Sequence, residues 1–372
     1  MVRLGEISIL NMGQSPKSET YNQNEEGIPF FQGNADFGEI NPVKKYYCTE
    51  PAKIAKANDL LVSVRAPIGA INIANCECCI GRGLAGITAK DKIIFYLYLY
   101  YFLKSKVDDL KNKGTGSTFK AINKNILYDL PVPLPPIETQ KQIAHNLDAI
   151  TNIISLRKKQ LLELDNLIKS VFYDMFGDPA KNEKEWKVIH LSKLTYDSLM
   201  YGSGASATKF DNNIRYIRIT DINYNGTLNE EKVSPNIIEN KYLLKEGDIL
   251  FARSGATVGK TFKFNESFGK CIFAGYLIKF TPNVDIILPD YIFYFTKTEF
   301  YRKFIESNIK LVAQPNINAK QYGNLKIPVP PIHLQNQFAI IVEKIEEQKS
   351  IIKKGLSESQ NLFDSLMSQY FI

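Results

Sequence analysis

The sequence predicts an α+β chain: two mixed α/β globules separated by a long antiparallel two-helix coiled coil, with a pseudo-twofold internal repeat. Three observations carry this. The segment Leu130-Pro-Val-Pro-Leu-Pro-Pro-Ile137, followed by Gln140 and Gln142, returns as Leu325-Lys-Ile-Pro-Val-Pro-Pro-Ile332, followed by Gln335 and Gln337, at an offset of 195 residues. That register holds from Ile122 and Ile317 to Phe176 and Phe371. The period is too long for a solenoid, so it marks two copies of one large unit. A heptad seam follows each proline connector, and short β-like runs punctuated by Gly, Pro and Asn precede it.

Residues 1–133 read as the first globule. Its β-like runs include Ile28–Phe31, Leu60–Val64 and Ala70–Ala74. The proline connector Pro131–Pro136 forbids a regular helix and favours extended chain. Residues 134–177 form the first spacer helix. Ile143, Leu147, Ile150, Ile154, Leu161, Leu164 and Ile168 fall on alternating steps of four and three, broken by Arg157. Such a seam is the signature of a coiled coil. Gly177 closes the helix and Pro179 prevents its continuation.

Residues 178–328 read as the second globule, with β-like runs Ile214–Ile219 and Asp248–Ala252. Residues 329–372 are the second spacer helix, pairing with the first. Its seam is Phe338, Val342, Ile345, Ile352, Leu356, Phe363 and Leu366, interrupted by Lys349 and Ser359. Gly355 weakens its centre by roughly 1 kcal/mol relative to alanine. The order globule, helix, globule, helix favours antiparallel pairing. At about 1.5 Å per residue each helix would span roughly 58 Å.

Composition narrows the class. The chain has 372 residues, 44% hydrophobic and 23% charged, which is ordinary globular usage with room for two cores. A net charge of +7 is a mild bias toward polyanions. Cys48, Cys76, Cys78, Cys79 and Cys271 make an odd number, against a secreted disulfide framework. Cys76-Glu-Cys-Cys79 lacks a second ligand pair at zinc spacing and reads better as a buried strand than as a metal site. The first residues carry charges and no apolar leader. The apolar run Ile93–Leu103 falls well short of the roughly 20 residues a membrane helix needs. A cytoplasmic protein is expected.

Catalytic signals are weak. Gly255-Ala-Thr-Val-Gly-Lys-Thr261 imitates a phosphate loop but has Ser254 where the first glycine belongs. Asp178, Glu185 and Lys187 imitate a nuclease set but lie in a short linker. Two of the three histidines, His145 and His333, fall in the helical repeats, so no nucleophile–base pair assembles with His190.

Polar segments instead suit DNA. Upstream of the first connector lie Lys113, Ser117, Lys120 and Asn123; upstream of the second lie Gln314, Asn316, Asn318 and Lys320. Lysines, small hydroxyls and glycine amides suit phosphate oxygens, while Asn and Gln suit base edges. An ordinary surface loop has the same composition; recurrence at the same place in both halves favours function. Arg65 and Arg253 each end a strand-like run beside a glycine-containing turn, where arginine reads guanine, clamps phosphate or pairs with a local carboxylate. Lys260 lies in the adjacent loop. Further candidates are Gln14, Ser15, Gln32 and Asn34 in the first globule, and Ser203, Ser206, Arg218, Thr220 and Asp221 in the second.

Taken together, the duplicated connector and helix, with Gly-Asp-Ile-Leu and Gly-Ser-Thr type segments in the globules, resemble the specificity subunit of type I restriction-modification systems. The resemblance covers essentially the whole chain. It implies that each globule is a target recognition domain reading one half of an asymmetric, bipartite site in double-stranded DNA. It implies that the helices space the half-sites and dock two methyltransferase (modification) subunits, with restriction/translocase subunits outside them. S-adenosylmethionine, ATP and Mg would then sit on those partners, with no cofactor, metal or catalytic residue in this chain. At about 3.4 Å per base pair, a 58 Å spacer caps the separation near 17 base pairs. The competing expectations are a coiled-coil protein-interaction scaffold and a self-contained DNA-modifying enzyme with a degenerate site.

Overall fold

The computed structural model describes residues 1–114, 120–309 and 315–371. The chain divides into two compact units, Met1–Lys158 with Lys354–Ile372, and Lys159–Lys353. Each unit combines one α/β module with part of each long helix, because the helix stripes are buried in the same cores as the modules.

In the first unit a four-stranded antiparallel sheet runs in the order Ser8–Met12, Leu84–Ala89, Leu60–Ser63, Ile71–Ile73. Leu60, Val62, Ile71, Ile73 and Ile87 pack with the aromatic helix Tyr96–Ser105 and with Ile143, Ala144 and Leu147 of the long helix Ile137–Phe176. The apolar run seen in the sequence is thus a core helix. A second sheet of five strands contains the parallel pair Ile28–Phe31 and Cys78–Ile80. Cys78 and Cys79 are fully buried in it, and burial pushes both thiols up, to about 12 and about 11.

The second unit repeats the plan with Met200–Tyr201, Leu277–Phe280, Ile249–Ala252 and Thr261–Lys263, and with a parallel pair Arg215–Ile217 and Cys271–Phe273. Its core joins Ile249, Phe251, Ile278 and Phe280 to Phe172, Phe176 and Phe338 on the long helices.

Each proline connector is extended and pairs with the module's own first strand: Val2 opposite Val132, and Val188 opposite Pro328. Just beyond, Gln140 and Gln335 are fully buried. Gln140 Nε2 donates to the carbonyls of Ile93 (3.1 Å) and Pro135 (2.8 Å), and its Oε1 accepts from Phe95 N (2.9 Å). Gln335 repeats the set with Ile286 (3.1 Å), Pro330 (2.8 Å) and Leu288 N (2.8 Å). One amide in each repeat thereby fastens module, connector and helix.

The long helices, Ile137–Phe176 and Ile332–Phe371, have 40 residues each. Seam residues Ile143, Leu147, Ile154, Ile168, Phe338, Val342 and Ile345 are buried. Ile150, Leu161, Leu164, Ile352, Leu356, Phe363 and Leu366 are half-buried. The seam is driest where it meets a module. Gly177 ends the first helix in the left-handed region (φ 77°), and Lys184 Nζ donates to the last carbonyls, at 2.7 Å from Asp174 O.

The seam breakers are used. Within the first unit Arg157 donates to Gly355 O and Ser359 Oγ, while Asn146 reaches Tyr370 Oη (3.5 Å), which fixes the helices as antiparallel there. Within the second, Lys349 pairs with Asp165 and Glu346, each at 2.6 Å. Gly355 is therefore more than a weak point. A Cβ there would stand 2.9 Å from the Arg157 guanidinium. In the parent chain Gly355→Ala is expected to cost about 1 kcal/mol, because displacing a charged donor outweighs the gain in helix propensity. In an Arg157→Ala background the same change is expected to stabilise by about 1 kcal/mol. A urea-unfolding double-mutant cycle measures the difference, and additivity of the two changes contradicts it.

Candidate nucleic-acid interface

In each module the ends of four strands and the segment before the helix repeat converge, held by backbone hydrogen bonds. In the first, Gly13 N donates to Leu84 O (2.9 Å) and Gln14 N to Ile80 O (3.0 Å). Gly81 N donates to Phe31 O (2.8 Å), Val64 N to Gly83 O (2.9 Å), and Ile122 N to Val64 O (3.0 Å). Gln32 N meets Asp36 Oδ2 at 2.8 Å, and Arg65 bridges to Ala121.

The second module repeats this pattern bond for bond. Gly202 N donates to Leu277 O (3.2 Å), Ser203 N to Phe273 O (2.8 Å), and Ala274 N to Ile217 O (2.9 Å). Arg253 N donates to Tyr276 O (3.1 Å) and Ile317 N to Arg253 O (2.9 Å). Arg218 N meets Asp221 Oδ2 at 2.8 Å, and Ser254 bridges to Asn316.

The frame is shared while the side chains on it differ. Gln14 stands where the second module has Ser203, Gln32 where it has Arg218, and Arg82 where it has Gly275. The same correspondence separates the two arginines that end strand-like runs in the sequence. Arg65 matches Ser254, and Arg253 matches Val64, so the two arginines are not equivalent. They differ by one position along an extended strand, which turns side chains to opposite faces.

Over this scaffold the protein family can be assigned. The model of the type I restriction modification DNA specificity domain matches residues 1–166 and 198–359. The chain belongs to this family. A putative type I restriction enzyme MjaX specificity subunit of Methanocaldococcus jannaschii is 44% identical over 163 residues, covering 43% of this chain and 38% of that protein. This chain thus aligns with well under half of that relative's length. The type I restriction enzyme MjaVIII specificity subunit of the same organism is 27% identical, covering 73% of this chain and 70% of that protein. A crystal structure of the type I restriction-modification system S subunit from M. genitalium shares the fold, with a TM-score of 0.65 at 17% identity over 98% of this chain and 94% of that chain.

On the type I specificity frame the candidate side chains sort into three groups. Exposed at the first junction are Gln14, Gln32, Arg65 and Lys120, with Ser15 and Asn34 half-buried beside them. Ser15 Oγ accepts from Arg82 N at 3.5 Å. At the second junction, Asn316 and Thr220 are exposed and Arg253 is half-buried. A groove of about 650 Å³ runs past Ser203, Tyr216, Arg218, Thr220 and Tyr276.

Other candidates have structural occupations. Asn123 and Asn318 cap short helices, their Oδ1 atoms accepting from Ile126 N (3.0 Å) and Gln321 N (2.9 Å). Ser203 is buried, with Oγ accepting from Ala205 N at 3.1 Å. Asp221 is buried and forks onto Arg218 (2.8 Å), whose guanidinium this pairing holds above its ordinary pKa. Lys260 Nζ donates to Ile222 O (2.9 Å) and stands 4.5 Å over the Tyr224 ring. Lys113, Ser206 and Lys320 are exposed on flanking elements. Ser117 and Gln314 lie outside the described residues.

The structure adds residues the sequence reading passed over. Arg82 is exposed between Gly81 and Gly83, and Tyr276 is 60% exposed after Gly275. Tyr201 lies under Arg253, with Cζ 4.7 Å from the ring centre, and its Oη accepts from Ala319 N at 2.9 Å. Among the described residues Arg253 Nε is buried without a hydrogen-bond partner. A bulky residue beside glycine at a strand end was the available signal for Arg82 and Tyr276. Amides, guanidinia and phenols on a rigid frame suit hydrogen bonding to base edges and phosphates. No helix among the described residues is long and apolar enough to cross a membrane.

Proposed function

We propose that this chain is the DNA-reading subunit of a type I restriction-modification complex and performs no chemistry itself. Each module reads one half of an asymmetric bipartite site in double-stranded DNA. The observation that carries this reading is the single hydrogen-bond frame bearing two different sets of polar side chains. A duplicated enzyme would keep its side chains, whereas a duplicated reader of two sequences must change them.

The helices are assigned to spacing and docking. Leu156 and Ile351 are repeat mates, 61% and 73% exposed, as are Leu167 and Leu362, 46% and 52% exposed. Apolar side chains exposed at matching positions of both repeats suit two copies of one partner, the two modification subunits. S-adenosylmethionine, ATP and Mg belong to those subunits and to the restriction/translocase subunits, in the cytoplasm.

Selection from a randomised duplex library tests the proposal. Enrichment of an asymmetric motif in two parts with a fixed gap is the expected result. Sequence-blind, purely salt-dependent binding would support a scaffold instead. Methyl transfer or cleavage by the purified chain alone, with Mg and S-adenosylmethionine, would support a self-contained enzyme.

A further inference from the structure

Within the second unit a cavity of about 900 Å³ lies between the long-helix segments and the module. Its apolar walls include Phe172 and Val342 from the long helices, Phe262 from the strand Thr261–Lys263, Phe268 from the 3-10 turn that follows it, and Phe293 and Tyr294 from the helix Pro289–Phe295. The volume is in the range of small-molecule sites, and most of the apolar side chains in the walls are aromatic.

The charges lining the cavity are unbalanced. Lys349 pairs with both Asp165 and Glu346, and Lys263 pairs with Asp290. Lys169, Lys297 and Lys353 form no ion pair among the described residues. Of these Lys297 is the inner one. Its Nζ donates to Tyr224 O (3.3 Å) and Thr261 Oγ1 (3.1 Å) and stands 4.5 Å from the Phe293 ring centre. These partners are neutral. Burial without a counter-charge pulls its pKa down to about 8. An ammonium in this position is stabilised by an anion that brings its own apolar body.

We propose that this cavity binds a small aromatic anion, a planar ring system bearing a carboxylate, sulfonate or phosphate. The ring packs among Phe262, Phe293 and Tyr294, and the anionic group meets Lys297, with Lys169 and Lys353 at the rim. Because its walls come from both the module and the long helices, an occupant would stiffen their junction within this unit.

The test uses the full chain with 1-anilinonaphthalene-8-sulfonate and its uncharged counterpart N-phenyl-1-naphthylamine, each followed by fluorescence titration. Lys297→Met is expected to weaken the sulfonate at least tenfold and to leave the neutral probe within twofold. In the unmodified chain, sulfonate affinity should fall between pH 7 and 9, as Lys297 loses its proton, while the neutral probe stays level. That window lies below the range of an ordinary ammonium, about 10.4. This pH series needs no substitution and so stands even if the variant fails to fold. Sulfonate binding that is unchanged in Lys297→Met, flat across the pH series, or absent altogether overturns the proposal.

Discussion

Gln335→Leu is expected to destabilise the chain by about 3 kcal/mol, and Gln140→Leu by a similar amount. Leucine fills much of the volume of the buried amide but strands three backbone groups, most of them part-buried: Leu288 N, Ile286 O and Pro330 O in the second repeat, and Phe95 N, Ile93 O and Pro135 O in the first. A fully buried group costs about 1–3 kcal/mol when left without a partner, a part-buried one less, and added apolar burial offsets some of the sum. The neighbouring repeat pair supplies the control. Gln142 and Gln337 are exposed, and leucine there should change stability by less than about 0.5 kcal/mol. Urea unfolding of the four variants decides the matter. Gln335→Glu adds a sign test: an ionised carboxylate cannot donate to the two carbonyls, while a protonated one donates to one of them. Its deficit relative to the parent should shrink as pH falls through the raised pKa of a buried glutamate. A deficit that grows toward acid pH would contradict the assigned bonds.

These glutamines show where the sequence was legible and where it stopped. The repeat marks four of them, yet only the first of each pair is buried, and position in the repeat does not say which. The heptad spacing reveals the long helices because burial of a stripe leaves a periodic trace. The common frame of the two modules leaves none. Ile122 and Ile317 sit 195 apart, but Ile80 and Phe273 sit 193 apart, Gln14 and Ser203 189, and Gln32 and Arg218 186. Loops of different length break the register, and backbone hydrogen bonds are indifferent to side-chain identity. Arg65 and Arg253 each end a strand-like run, yet the backbone frame matches Arg65 to Ser254 and Arg253 to Val64. Asn123 and Asn318 carry two readings in the sequence, because the amide that reads adenine also caps a helix, and the caps are what the structure adds.

Arg253→Ala is expected to weaken binding to the second half-site by about 1–3 kcal/mol while leaving the first untouched, and Arg82→Ala to do the converse. The half-site assignment rests on the proposed function, with Arg82 in the frame of the first module and Arg253 in that of the second. Arg253 is the stronger case: it is half-buried, and its ring partner Tyr201 holds the guanidinium. A guanidinium so placed loses little conformational freedom when DNA supplies the acceptor. Affinities for duplexes with one half-site randomised separate the two effects. Salt then distinguishes what Arg253 touches. A phosphate contact lowers affinity for every sequence and reduces the slope of log K against log salt by about 0.9. A base contact leaves that slope nearer its parent value and relaxes preference at one position of one half-site. Arg218 is a poorer choice for the experiment, because its guanidinium is tied to the buried Asp221 and alanine there strands a carboxylate inside the module. If Arg253→Ala and Arg82→Ala weakened both half-sites alike, the two modules would not be independent readers, and the shared frame would need another explanation than two sequences read side by side.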